Sequence, residues 1–152
     1  MLHKLADMGI VKFTDPVTKF FNDVDTPAFR ILNPYDEEAG ADAVTLESLA
    51  SQSSGIPRQS PCINYTSCKD VDVMDFLATI PLWHQPLTSP HYSDIAYAIL
   101  GHCLERAIRN ATGTNITYEQ FMKENIFDPF EMTSTGYDYP DDIRARMAGA
   151  CL

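Results

Sequence analysis

Leu2, Leu5, Ala6 and Ile10 recur at helical spacing, so Met1 to Met8 is predicted to be a short amphipathic helix closed by Gly9. No capping residue precedes it, and the first apolar position follows Met1 directly, as though the helix had been entered partway along. From Val11 to Asp42 no period is sustained, and Asp15-Pro16, Thr26-Pro27 and Asn33-Pro34 punctuate what should be loop with a helical turn near Val17 to Phe21. Thr45 is placed to cap a short helix over Leu46 to Ser51, which stops before Gly55-Ile56-Pro57. Another short helix is expected from Val71 to Thr79, and Pro81, Pro86 and Pro90 then rule out regular structure up to His91.

The strongest signal runs from Ser93 to Asn110. Ile95, Ala96, Ile99, Leu100, Cys103, Leu104, Ala107 and Ile108 form one apolar stripe, while Asp94, His102, Glu105, Arg106 and Arg109 lie off it. Ser93 is the expected cap, Glu105 and Arg109 the expected i,i+4 pair, and Gly113 stands beyond the end. A last helix opens at Thr117-Tyr118-Glu119-Gln120 and is predicted to run to about Phe127, before Asp128-Pro129. Strand signals are nearly absent, so the chain is predicted to be mainly α.

Composition narrows the partners. The 21 acidic residues against 11 Lys and Arg give a formal charge of −10, with no basic cluster to neutralise successive phosphates, which excludes nucleic acid. No apolar run approaches the roughly 18 residues of a membrane span. Lys4, Asp7 and Lys12 interrupt the apolar pattern that an export signal would need in Met1 to Phe13. Cys62 and Cys68 flank a short polar loop where a disulfide would staple a segment with little core, and glycosylation sequons stand at Asn64, Asn110 and Asn115. These features point to a secreted, glycosylated parent, the alternative being thiols that stay reduced and triplets that occur by chance.

Three segments carry a resemblance. Val44-Thr45-Leu46-Glu47-Ser48-Leu49-Ala50-Ser51-Gln52-Ser53-Ser54-Gly55-Ile56-Pro57 resembles the Ile-Thr-x-x-x-Leu-Leu-x-His-x-Ser-Gly-Leu-Pro stretch of the β-lactamase-related serine hydrolases. Tyr92-Ser93-Asp94-Ile95-Ala96-Tyr97-Ala98-Ile99-Leu100-Gly101 resembles that family's Tyr-Ser-Asn-x-x-Tyr-x-x-Leu-Gly segment, and Ile126-Phe127-Asp128-Pro129-Phe130-Glu131-Met132 its Ile-Phe-x-Pro-Leu-Gly-Met. Leu2-Leu5-Ala6-Asp7-Met8-Gly9 with Asp15-Pro16-Val17 is similar to the stretch just downstream of the family's nucleophile, and the Ser-Gly-Ile-Pro-Arg wording with the Cys62/Cys68 loop is closest to secreted fungal members.

The resemblance implies an internal part of a family that includes class C β-lactamases, penicillin-binding DD-peptidases, esterases and acyltransferases. Residues 1–152 would be a partial domain, the helical subdomain of an α/β (α+β) fold, lying between the Ser-x-x-Lys motif and a Lys-Thr-Gly or His-x-Gly strand, with the central sheet largely missing. It also implies an acyl-serine mechanism, a small-molecule amide or ester substrate and no cofactor. The family's Tyr and Asn map to Tyr92 and Asp94, the candidate catalytic residues.

No Ser-x-x-Lys occurs in the chain, and Thr66-Ser67-Cys68-Lys69, the nearest spelling, follows motifs it should precede. A tyrosine with an ordinary pKa near 10 needs neighbouring cations to take a proton at neutral pH. Asp94 accepts hydrogen bonds where an amide would also donate, and it is equally an ordinary acid in a helix's first turn. His84, His91 and His102 are not at metal-ligand spacing, and Cys103 on the stripe is expected to be a buried thiol. The chain is therefore expected to be inactive as written, within either a truncated hydrolase or a non-catalytic scaffold module derived from the same fold. An apolar face left uncovered by the absent sheet, above all on the Ser93 to Asn110 helix, should promote self-association.

Overall fold

The computed structural model describes residues 1–21, 30–58 and 70–148. Its elements are α1 (Leu2–Asp7), α2 (Thr18–Phe21), a 3₁₀ turn (Gly40–Ala43), α3 (Leu46–Ala50), α4 (Asp70–Thr79), α5 (Asp94–Thr112), α6 (Tyr118–Met122) continuing into a π turn (Lys123–Phe127), and α7 (Asp141–Arg144). Among the described residues the only β pairing is an isolated bridge between Pro16 and Thr45. The mainly helical expectation holds for these residues, and the Cys62/Cys68 loop lies outside them.

Helix α5 forms the axis. All eight residues of its stripe are buried, against α2, α3 and α6, and they join one core with Leu5, Val17, Leu46, Leu49 and Phe121. The stripe that was expected to need a missing sheet is thus covered by the chain's own helices. Burying a large aliphatic side chain contributes roughly 1.5–3 kcal/mol, so this helix supplies much of the cohesion. Ser93 caps it by accepting from Ala96 N at 3.1 Å, and Gly113, at φ +66°, ends it in the left-handed conformation with its N–H on Arg109 O at 2.9 Å. The Glu105–Arg109 pair forms as expected.

Helix α3 is fastened at its start. Thr45 and Ser48 make a reciprocal capping box, Ser48 N to Thr45 Oγ1 at 3.3 Å and Thr45 N to Ser48 Oγ at 3.0 Å. Asp15 O accepts from Leu46 N at 3.1 Å and Val44 O accepts from Val17 N at 2.9 Å, which draws the 11–17 loop onto the helix. The Asp15 carboxylate, nearly buried, takes Lys12 N and Lys19 Nζ, each at 2.8 Å. Burial opposes its ionisation, but the Lys19 bond, the Lys12 N–H and the two lysine charges together outweigh it and hold the carboxyl below its ordinary range.

Helix α6 departs from the sequence pattern. It becomes π-helical at Lys123, where Asp128 N bonds Lys123 O at 2.9 Å. Asn125 Nδ2 reaches Phe121 O at 3.1 Å, so a side chain takes up a carbonyl that would otherwise accept the Asn125 backbone N–H. That exchange compensates the slip, and hydrophobic periodicity carries no trace of it.

Between α4 and α5 the proline-rich loop is irregular but not loose. Leu82 N donates to Leu32 O at 3.0 Å, Trp83 N to Gly55 O at 2.8 Å, Leu87 N to Ser53 O at 2.8 Å and His91 N to Gln52 O at 2.6 Å. The Gln52–Pro57 segment is thus a rail of carbonyl acceptors along which the loop is laid. Gly55 has φ +77°, and a Cβ there would stand 2.2 Å from His84 O.

Gly55→Ala should therefore destabilise the chain by at least about 2 kcal/mol, since a left-handed φ and a backbone clash act together. Urea unfolding measures this, and an unchanged midpoint would show that the rail can shift freely. The lowered Asp15 pKa contributes stability that is fully present above the unfolded carboxylate value near 3.9 and is lost as pH falls through the folded value. Asp15→Asn should accordingly be less stable at pH 7, by about 1 kcal/mol, and show a flatter loss of stability below pH 4 in pH-dependent unfolding.

Candidate functional site

Residues 92–94 are set where the rail meets α5. Ser93 is fully buried and extended, at φ −142° and ψ 115°. Its hydroxyl donates to Pro57 O at 2.9 Å while accepting from Ala96 N, and its N–H donates to Gln52 Oε1 at 2.7 Å. Successive side chains alternate across an extended residue, so with Ser93 turned inward, Tyr92 and Asp94 project outward. Both are exposed, Tyr92 by 59%. The two candidate catalytic residues therefore share a solvent-facing side at the N-terminus of α5.

Their surroundings differ. The Arg58 guanidinium lies over the Tyr92 ring, 5.4 Å from its centroid, and puts a positive charge beside the phenol. Arg58 ends the Ser-Gly-Ile-Pro-Arg run, but its stacking on a residue 34 positions later is not readable from the sequence. Asp94 occupies the first turn of α5, where the helix dipole favours a carboxylate.

An aromatic group borders Tyr92. Trp83 and His91 meet edge to face with centroids 4.9 Å apart, His84 lies 6.0 Å from His91, and Tyr35 donates through its hydroxyl to Trp83 O at 2.6 Å. Sequence spacing gave no hint that His84 and His91 would be neighbours. Among the described residues no group of three or more His, Cys, Asp or Glu is arranged to hold a metal ion, and His102 sits elsewhere, on α5. Tyr97 also donates from its hydroxyl to Ala50 O at 3.0 Å, tying α5 to the end of α3 next to the rail.

Cys103 is fully buried on the stripe, as expected. Burial pushes its thiol well above the ordinary range despite the nearby Arg106 charge, which makes it a poor nucleophile. A cleft of about 550 Å³ opens between α1, α3 and α5, with His3, Phe13, Glu47, Tyr97 and Leu104 among its walls. Neither Tyr92 nor Asp94 lines it, so this cleft and the candidate chemistry are separate features of the surface.

The chain resembles proteins of several kingdoms. It is 32% identical to putative beta-lactamase-like 1 of Homo sapiens over 97% of this chain and 28% of that protein. Against beta-lactamase-like protein 4 of Dictyostelium discoideum the identity is 29%, over 98% of this chain and 26% of the relative. The D-alanyl-D-alanine-carboxypeptidase/endopeptidase AmpH of Escherichia coli K12 is 30% identical over 97% of this chain and 36% of its own length. Among solved structures, a beta-lactamase/D-alanine carboxypeptidase from Yersinia pestis superposes with a TM-score of 0.70 at 28% identity, covering 95% of this chain and 38% of that one. The chain thus spans between about a quarter and somewhat over a third of these relatives. Its helices follow a known fold closely, and the Beta-lactamase family profile matches residues 1–150, so the chain belongs to the β-lactamase family.

Proposed function

We propose that these residues form the tyrosine-bearing helical part of an acyl-serine hydrolase acting on small amide or ester substrates, with the nucleophilic Ser and its Lys supplied by residues outside the 152. The observation that carries this reading is the presentation of Tyr92, outward and beside Arg58, on a buried serine cap. In that role the phenol oxygen takes the nucleophile's proton and passes it to the leaving group. Asp94 stands on the same side as an acceptor, so a substrate group facing it has to donate a hydrogen bond or carry positive charge.

A second reading, a scaffold module that has lost catalysis, is favoured by one observation. Asp94 replaces the amide of the family motif and is fully accounted for as a helix-terminus acid. An in-frame or spliced Ser-x-x-Lys in the DNA upstream of Met1 favours the hydrolase, and its absence favours the scaffold. Under either reading we propose a secreted parent similar to fungal members. Exposure of Asn110 and Asn115 supports glycosylation at both, and Phe130 (74% exposed), Met132 and Met147 offer apolar surface for self-association.

The purified 152-residue chain should not turn over nitrocefin or a p-nitrophenyl ester, because it contains no Ser-x-x-Lys. Clear turnover abolished by Tyr92→Phe would sink this expectation. In an active parent carrying the nucleophile, Tyr92→Phe should lower kcat by about 10²- to 10⁴-fold. Material made through a secretory pathway should show a Cys62–Cys68 bridge and glycans at Asn110 or Asn115 by mass spectrometry of non-reduced peptides. Alkylatable thiols and bare asparagines in secreted material would count against the extracellular reading.

A further inference from the structure

Gln52 adopts φ +60°, the left-handed conformation of the residue that closes α3, where Gln52 N donates to Leu49 O at 3.2 Å and Ser53 N to Ser48 O at 2.8 Å. From that position the same residue also holds both flanks of Tyr92. Its carbonyl oxygen accepts from His91 N at 2.6 Å, and its side-chain Oε1 accepts from Ser93 N at 2.7 Å. Elsewhere on the rail, Ser53 and Gly55 hold Leu87 and Trp83 by backbone carbonyl alone. Among the described residues, Tyr92 is where the rail holds the loop on either side, and Gln52 is the rail residue that supplies a side-chain acceptor to it. The Ser93 hydroxyl is occupied by Pro57 O and Ala96 N, so it is the Gln52 amide that fixes the Ser93 N–H.

Burial does not explain this grip, since Tyr92 is 59% exposed and gains little from packing. We propose that Gln52 is a positioning residue for Tyr92, a two-point clamp that fixes the backbone on both sides of the exposed tyrosine and so sets where its phenol oxygen stands. The inference rests on the reading of Tyr92 as the proton-transfer group, but the clamp itself is a matter of conformation and is measured without turnover.

The test is amide hydrogen exchange and tyrosine-ring NMR on the full 152-residue chain. Gln52→Asn keeps a residue type tolerant of positive φ but shortens the side chain by one methylene, out of reach of Ser93 N. Exchange at Ser93 should then rise about ten-fold, the loss expected for one hydrogen bond, and the Tyr92 ring signals should move toward those of free tyrosine. Leu49 and Ile99 amides, in α3 and α5, should keep their rates. Gln52→Glu, with an acceptor at the same reach, should restore slow exchange at Ser93. If Gln52→Asn does not fold, Gln52→Met replaces it, being close in length and lacking the acceptor. Unchanged Ser93 exchange, a uniform rise that includes Leu49 and Ile99, or failure of Gln52→Glu to restore protection would each overturn the proposal. In an active parent, Gln52→Asn should lower kcat with KM nearly unchanged. Should Tyr92→Phe leave that turnover intact, the proton-transfer reading fails, while the Ser93 exchange still decides the clamp.

Discussion

The site depends on the carbonyl rail of Gln52–Pro57. A loop with three prolines has few backbone donors and no ladder of its own, yet a loop lying on a packed core has to satisfy its polar groups. Trp83, Leu87 and His91 spend their N–H groups on the rail, and Ser93 adds its hydroxyl. The rail in turn is held by α3, whose start is tied to the 11–17 loop and whose end is tied to Tyr97 of α5. A displacement of the rail would move the loop, the cap of α5 and the exposed residues beside it together.

This arrangement makes clear why the Ser-Gly-Ile-Pro wording recurs where it does. Gly55 is required by a left-handed φ and by the carbonyl of His84 lying where a Cβ would be. Ser54 is almost fully buried and its hydroxyl accepts from Ile56 N at 3.3 Å, while Ile56 fills the core. Pro57 offers a carbonyl to Ser93 and needs no partner for an N–H it lacks. Each residue type answers a local demand of the rail, and none of them touches the candidate chemistry directly.

Most helices were legible because periodicity and capping speak about neighbours in sequence. The α5 stripe matches its buried residues one for one, and Thr45, Ser93, Gly113 and Thr117 cap as their types imply. What periodicity could not convey was contact at long range. The stripe was expected to need an absent sheet, but α2, α3 and α6 cover it, because partner identity is not encoded in one helix's own pattern. The π turn at Lys123 depends on a single side-chain bond from Asn125, and the 3₁₀ turn at Gly40–Ala43 had no period to announce it. At the site, Tyr92 and Asp94 were found through resemblance. Arg58 on the ring, Gln52 on both flanks and the meeting of His84 with His91 arise only when the loop is folded back onto the rail.

Folding alone gives little reason for Tyr92 to be what it is. The structural work at this corner belongs to Ser93, which is buried, caps α5 and binds Pro57 whatever side chains flank it. Asp94 has an independent structural justification in the helix dipole, worth a few tenths to 1 kcal/mol at an exposed position. Tyr92 is instead met by the Arg58 guanidinium, 5.4 Å from its ring centroid. Its ring is more than half exposed, so its hydrophobic return is small, and the backbone around it is held by Gln52, the residue that closes α3. The same comparison separates the two candidates: Asp94 would be at home in any helix of this kind, whereas Tyr92 is set by Gln52 and Arg58, residues far from it in sequence.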